Sequence, residues 1–264
     1  MIIGQEKICT KIDNLTLDQF PRSLMLVGAR GGGKHLICKY IAEKFSLTAV
    51  DITDTLNLET IEELYNRVEP YQYIIRVNEI SVKEENVILK FLEEPLKNSY
   101  IVLLAETDNG LLQTILNRCQ IWYLQNYAYE YLQTFLTSGN TYVLSIANTP
   151  GRVKELDNVS FDGMIDLANK MLTKIETANI SNTLSLSNKI GFKQEKGTFD
   201  GFLFVEVLTQ ELCRLWITQP DVRLSSVYSE LCELRKQLNI KNLDYKMLFE
   251  NFLIKFRSIM RGGK

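Results

Sequence analysis

The 264-residue chain carries 30 Lys and Arg against 32 Asp and Glu, a formal net charge of −2, which excludes a protein held on nucleic acid by bulk positive charge. Hydrophobic residues at 45% and charged residues at 23% are globular values, so composition excludes a disordered chain and allows two or three domains. The cysteines Cys9, Cys38, Cys119, Cys213 and Cys232 form no CxxC pair, and the lone His35 stands at no zinc-cluster spacing from them, so no metal site is expected and the thiols read as small apolar residues in a reducing compartment.

The opening MIIGQEKICTKIDNL has no apolar signal core, and no run reaches membrane-spanning length, so a cytoplasmic location and no membrane partner are expected. Residues 24–27 read as a strand, followed by a glycine loop and a helix over Lys34–Phe45. Strands are expected at 48–52 and 73–77 with a helix over 58–67 between them. A helix over 84–92, a continuous apolar strand at 100–105, a helix over 111–118 and a strand at Gln120–Tyr123 complete the series. Alternation of helices with near-continuous apolar strands predicts a parallel sheet covered on both faces, an α/β domain over residues 1–125.

Beyond residue 125 the strand signal fades. Short helices are expected at 129–136, 141–147 and 151–156, separated by Ser-Gly-Asn and Asn-Thr-Pro-Gly breakers, as a helical lid over 126–160. Longer helices at 161–176, Gly201–Thr218, 224–238 and 243–260 predict an all-α domain over 161–264, with the polar stretch 177–198 as a loop. The last helix shows an apolar seam at Leu248, Phe252 and Phe256.

The segment Gly28-Ala-Arg-Gly31-Gly32-Gly33-Lys34-His35 fits GxxxxGK between a strand and a helix. Such a loop turns backbone N–H groups onto phosphate oxygens, and the helix N-terminus and Lys34 add positive potential. A working loop places Ser or Thr next, because its hydroxyl ligates Mg²⁺. Here the residue is His35, a poor partner for a hard cation and read as a solvent-facing first-turn residue. The second ligand is expected after the strand at 73–77, where Asn78 and Glu79 stand. A neutral amide holds Mg²⁺ weakly, and Glu79 without a metal does little for phosphoryl transfer. These residues describe a site for ATP or ADP that holds Mg²⁺ poorly and does not hydrolyse.

Further segments carry a family resemblance. Asn86-Val-Ile-Leu-Lys-Phe-Leu-Glu-Glu-Pro95 looks like the NALLKxLEEP segment of clamp-loader ATPases. Leu103-Leu-Ala-Glu-Thr107-Asp-Asn109 and Leu112-Gln-Thr-Ile-Leu-Asn-Arg118-Cys-Gln120 resemble their sensor 1 strand and Ser-Arg-Cys motif. Asn148-Thr-Pro-Gly151-Arg152-Val153 resembles the start of the sensor 2 helix, and Ile3-Gly4-Gln5-Glu6 the opening signature. In this order, over residues 2–156, the motifs resemble the clamp-loader AAA+ family, and the C-terminal helices fit its collar in length and character.

The resemblance implies an AAA+ P-loop domain, a lid and a collar. It implies that Arg118 projects into a neighbouring subunit's ATP site as an arginine finger, that Thr107 is sensor 1, and that Gly151 and Arg152 form the sensor 2 region. Glu93 and Glu94 lie at a helix C-terminus, where the dipole disfavours anions, which points to a contact outside the helix. Active motor subunits resemble G-S-x-R at the sensor 2 helix. Here Gly151 holds the matching position and Arg152 lies one residue on, about 100° around the helix. The Pro-Gly form looks like the delta-prime branch, implying an assembly subunit of the DNA polymerase III clamp loader without intrinsic ATPase. Most bacterial relatives carry a four-cysteine zinc module, and this sequence has none. Implied partners are motor and delta-like subunits, the sliding clamp indirectly, and primer-template DNA through the assembled complex. An ATP-hydrolysing motor of gamma/tau type and an unrelated P-loop module remain the alternatives.

Overall fold

The computed structural model describes residues 2–64, 70–78, 80–95, 99–109, 111–192, 197–238, 240 and 243–262. Contacts divide the chain into two compact units, Met1–Asn158 and Val159–Lys264.

The first unit opens on α1 (Glu6–Asp13), followed by β1 (Ser23–Val27), α2 (Lys34–Phe45), β2 (Thr48–Asp51), α3 (Leu58–Leu64), β3 (Tyr71–Arg76), α4 (Val82–Glu93), β4 (Ser99–Ala105), α5 (Gln113–Leu116) and β5 (Gln120–Tyr123). The lid follows as α6 (Tyr129–Gln133), α7 (Val143–Ile146) and α8 (Pro150–Leu156). All five strands are parallel, in the order β2-β3-β4-β1-β5. Every residue of the central strand β4 is buried, as a strand covered on both faces requires.

Side chains alternate between two cores with the period of two that a strand imposes. Leu24, Leu26, Tyr100, Val102 and Leu104 pack with Ile8 and Ile12 of α1 and Ile37, Cys38 and Ile41 of α2. Met25, Val27, Ile101, Leu103 and Ala105 pack with Ile61 of α3, Ile88 and Phe91 of α4, and Ile115 of α5. The α4 helix starts on a capping box, in which Ser81 Oγ accepts from the Glu84 N–H and the Glu84 carboxylate accepts from the Ser81 N–H. The sheet order reverses at β1, between β4 and β5, and the glycine loop leaves the carboxyl end of that strand. That is where open parallel sheets place their ligands.

The second unit comprises α9 (Asp162–Lys174), α10 (Ile180–Ser185), β6 (Ile190–Gly191), β7 (Phe199–Asp200), α11 (Gly201–Thr218), α12 (Val222–Leu238) and α13 (Tyr245–Met260). Asp200 and Asp244 cap α11 and α13 by accepting from the Leu203 and Met247 N–H groups. An aromatic core of Phe192, Phe204, Phe249 and Phe252 fixes these helices.

Several expectations change. The α1 helix was not anticipated. The helix over 111–118 is the single turn α5, because Leu112 takes an extended ψ of 129°. The loop at 177–198 holds α10, a 3₁₀ turn at Leu186–Lys189, and a short parallel ribbon of β6 and β7. The α13 seam runs through Tyr245, Phe249, Phe252, Phe256 and Met260, with Leu248 only half-buried. The expected helix over 58–67 is seen to Leu64, and its last residues lie outside the described ones.

Candidate functional site

The glycine loop bends because two of its residues adopt conformations that L side chains resist. Gly31 has φ +76° and Gly33 φ +91°. Gly33 is also the N-cap of α2 and supplies no side-chain cap, so the first-turn N–H groups of α2 face the loop's concave side.

The loop's carbonyls are tied to the protein in sequence. Lys34 Nζ donates to Gly28 O and, at 3.1 Å, to Ala29 O. Thr149 Oγ1 donates to Arg30 O at 2.7 Å, the Gly151 N–H to Gly31 O at 3.1 Å, and Tyr127 Oη to Gly32 O at 2.8 Å. Three of these ties come from the segment carrying the lid. Thr149 is 3% exposed and caps α8 through the Arg152 N–H. Gly151 sits so close to Gly31 that a Cβ on it would lie 2.6 Å from Gly31 Cα. Only glycine fits such a backbone approach.

Two cavities flank the loop. One, of about 530 Å³, is lined by Ile2, Leu36, Tyr127, Tyr131, Phe135 and Pro150 among others, largely apolar groups. The other, of about 650 Å³, is lined by the loop from Arg30 to Lys34 together with His35, Arg76, Asn78 and Glu106. Burial pulls the Lys34 ammonium below its ordinary value, opposed by the negative charge of Glu106.

The structure brings Gly28, Gly31, Gly32, Gly33, Lys34, His35 and Asn78 to this end of the sheet. His35 is exposed in the first turn of α2. Asn78 follows β3, and its Oδ1 accepts from the Glu106 N–H at 2.7 Å. Glu79 lies outside the described residues. Thr107 is exposed, its hydroxyl accepts from the Asn109 N–H at 3.1 Å, and the cavity wall at this point is Glu106. Arg152 turns to Glu155 at 3.1 Å, one helical turn on.

Arg118 lies at the far end of α5, apart from this cavity. Its Nη2 meets Glu93 Oε1 at 2.7 Å and its Nη1 donates to Thr114 O at 2.9 Å, with 36% of the side chain exposed. The pair explains a carboxylate at the C-terminus of α4, where the helix dipole alone would disfavour it. It holds a guanidinium at the surface in a defined pose.

Sequence reasoning missed Arg76, Glu106 and Tyr127. Arg76 is the one cation in the otherwise apolar run from Tyr73 to Val77, and that interruption was the available signal. It shares a strand face with Ile74, which packs on the α2 side. Asp51 Oδ2 meets its Nε at 3.2 Å and Asp54 Oδ2 its Nη2 at 3.1 Å.

Residues 51–128 match the model of the family described as DNA polymerase III, delta subunit. That stretch includes Arg76, Asn78, the α4 helix and Arg118. The chain is 34% identical over 77 residues to the DNA polymerase III subunit delta' of Haemophilus influenzae, covering 28% of this chain and 24% of that protein. It is 35% identical over 80 residues to the delta' subunit of Bacillus subtilis, covering 30% and 20%. It is 26% identical over 238 residues to the DNA polymerase III subunit gamma of Buchnera aphidicola, covering 75% and 64%. Each match thus spans less than two thirds of the relative's own length. Among solved structures, a DNA polymerase III gamma subunit-related protein from Thermotoga maritima is similar at a TM-score of 0.47 and 17% identity, covering 98% of this chain and 100% of that one. On a parallel sheet with the motifs in this order, the central stretch of the chain is thus similar to the delta and delta' subunits of DNA polymerase III.

Proposed function

We propose that the chain is a delta-prime-like subunit that helps load the sliding clamp, presenting Arg118 in trans to a neighbouring subunit's ATP site. One observation carries the reading: Arg118 is surface-exposed, is kept in one pose by Glu93 and Thr114, and lies away from the chain's own glycine loop. A guanidinium placed so stabilises charge on a phosphoryl group that another chain supplies.

The metal ligands support the same reading. A magnesium ion requires oxygen ligands in near-octahedral array, several of them charged. His35 offers an imidazole, and Asn78 offers an amide oxygen already accepting from the Glu106 N–H. These residues do not fit the ion. The loop itself fits a phosphate chain, held by Lys34 and the first-turn N–H groups of α2. Such a site binds ATP or ADP and does not turn it over. Partners on this reading are motor and delta-like subunits, and through them the clamp and primer-template DNA.

The second reading is an ATP-hydrolysing motor of gamma type, favoured by the longer match to a gamma subunit. ATPase of the reconstituted partner mixture, with wild-type chain against Arg118→Ala and with the chain alone, separates the two. A silent chain whose Arg118→Ala variant lowers partner turnover by about 10³-fold or more supports the trans role. Magnesium-dependent turnover by the chain alone replaces it with the motor.

A further inference from the structure

We propose that the corner of the second unit where α9 and α13 end binds an acidic segment of a partner protein that also carries aliphatic side chains, its carboxylates seated on Arg257 and Arg261. The proposal stands apart from the glycine loop and from the trans role of Arg118.

Arg257 lies in the last turn of α13 and Arg261 is its C-cap, four residues on and so on the same face. Both reach the turn that leaves α9. Arg257 Nε donates to Ala178 O at 2.8 Å, Arg261 Nη2 to the same oxygen at 3.0 Å, and Arg261 Nε to Glu176 O at 2.6 Å. A helix end leaves carbonyls without helical partners, and basic side chains meet such groups. That explains why arginines stand here, but it uses only part of each guanidinium.

Among the described residues, neither arginine meets a carboxylate. Both Nη groups of Arg257 and the Nη1 of Arg261 take no hydrogen-bond partner there. Arg257 is half-buried and Arg261 exposed. Their neighbour Arg223 is different, because Asp221 Oδ2 meets its Nη2 at 2.8 Å and Glu176 Oε1 its Nη1 at 3.2 Å, and Met260 O also accepts from Nη1. The two carboxylates of the corner are therefore spent on Arg223, and two positive charges are left over. Each is oriented by main-chain oxygens, so it loses little freedom when an anion arrives. A planar guanidinium with free Nη groups suits a carboxylate.

The exposed neighbours say what kind of anion. Val222, 84% exposed, opens α12 beside Arg223, and Ile180, 53% exposed, opens α10 two residues after Ala178. A peptide that carries carboxylates together with leucine-like side chains covers both the charges and the aliphatics. A nucleic-acid strand gains from a longer run of cations and from aromatic rings on which its bases stack. Here the spare charge is confined to one corner of a chain whose net charge is −2.

The test is fluorescence anisotropy of a short labelled peptide alternating leucine with aspartate, titrated with the full chain. The wild type is expected to bind it, and the double variant Arg257→Gln with Arg261→Gln to bind about tenfold more weakly or worse. The corresponding double lysine variant keeps the charge, loses the planar fork and falls between. Val222→Asn should weaken binding about fivefold through the lost aliphatic contact. A peptide with asparagine in place of aspartate should not bind. Thermal melting checks folding, and if the double glutamine variant is unfolded, Val222→Asn and the asparagine peptide still decide. No binding of the acidic peptide by folded wild type, or wild-type affinity in the folded double glutamine variant, overturns the proposal. Oligothymidylate bound as tightly as the peptide, through the same two arginines, overturns it in favour of nucleic acid.

Discussion

Replacing Gly151 by alanine sets two physical effects against each other. Gly151 is the second residue of α8, and in a helix alanine is favoured over glycine by about 0.8–1.0 kcal/mol. Local propensity alone therefore predicts a more stable protein. The contact predicts the opposite, since the new Cβ would lie 2.6 Å from Gly31 Cα and 3.0 Å from Gly31 O. Carbon atoms pack at about 3.5–4.0 Å, so the helix must retreat by about 1 Å. That retreat stretches the Gly151–Gly31 hydrogen bond from 3.1 Å beyond useful length, and strains the Thr149–Arg30 bond. Each lost bond costs about 0.5–1.5 kcal/mol, and crowding adds about 1–3 kcal/mol. After the propensity gain the net is a destabilisation of about 1–3 kcal/mol. For a unit of this size that is a fall in Tm of about 3–9 °C. Differential scanning calorimetry of wild type and Gly151→Ala reads it directly. A Tm that stays level or rises would show that α8 does not pack on the loop, and the bracing described for the loop would fall with it.

The Asp157 carboxylate accepts from the N–H and hydroxyl groups of Thr137 and Ser138, and these bonds hold its pKa down to about 2. Its folded value is below the unfolded one, so its contribution is full above about pH 4 and is lost as pH falls through about 2. Asp157→Asn should flatten that part of the profile of Tm against pH, and an unchanged profile would refute the role. Phe256 is fully buried in the second unit, and Phe256→Ala should cost that unit about 3–5 kcal/mol. Urea unfolding followed by the fluorescence of Trp216 measures it, with a loss under 1 kcal/mol as the contrary result.

Long apolar runs made the sheet legible: β4 is apolar from Tyr100 to Ala105 and buried throughout, and the α2 boundaries are set by Gly33 before it and Ser46 in the left-handed region after it. The loop and the exposed position of His35 followed from spacing alone. Local pattern ended where tertiary packing chose. In α13 the spacing 248, 252, 256 looked like a seam, but each step of four drifts about 40° around the helix. The real seam mixes steps of three and four and centres on Phe249. Two-residue strands such as β6 and β7 carry no period to read. At the site, Arg76 and Tyr127 escaped notice because each acts through a partner distant in sequence, Asp51 and Asp54 for one and Gly32 for the other.

The tied carbonyls of the glycine loop bear on how this unit breathes. Thr149, Gly151 and Tyr127 reach the loop from the lid end of the chain, so loop and lid share one set of bonds. A fluctuation that lifts α8 must release Arg30 and Gly31 in the same event. Amide protons of the loop and of α8 should therefore exchange with deuterium as a single cooperative group, rather than as a frayed loop beside a stable helix. Opening of the loop and lifting of α8 are then one event with one free energy.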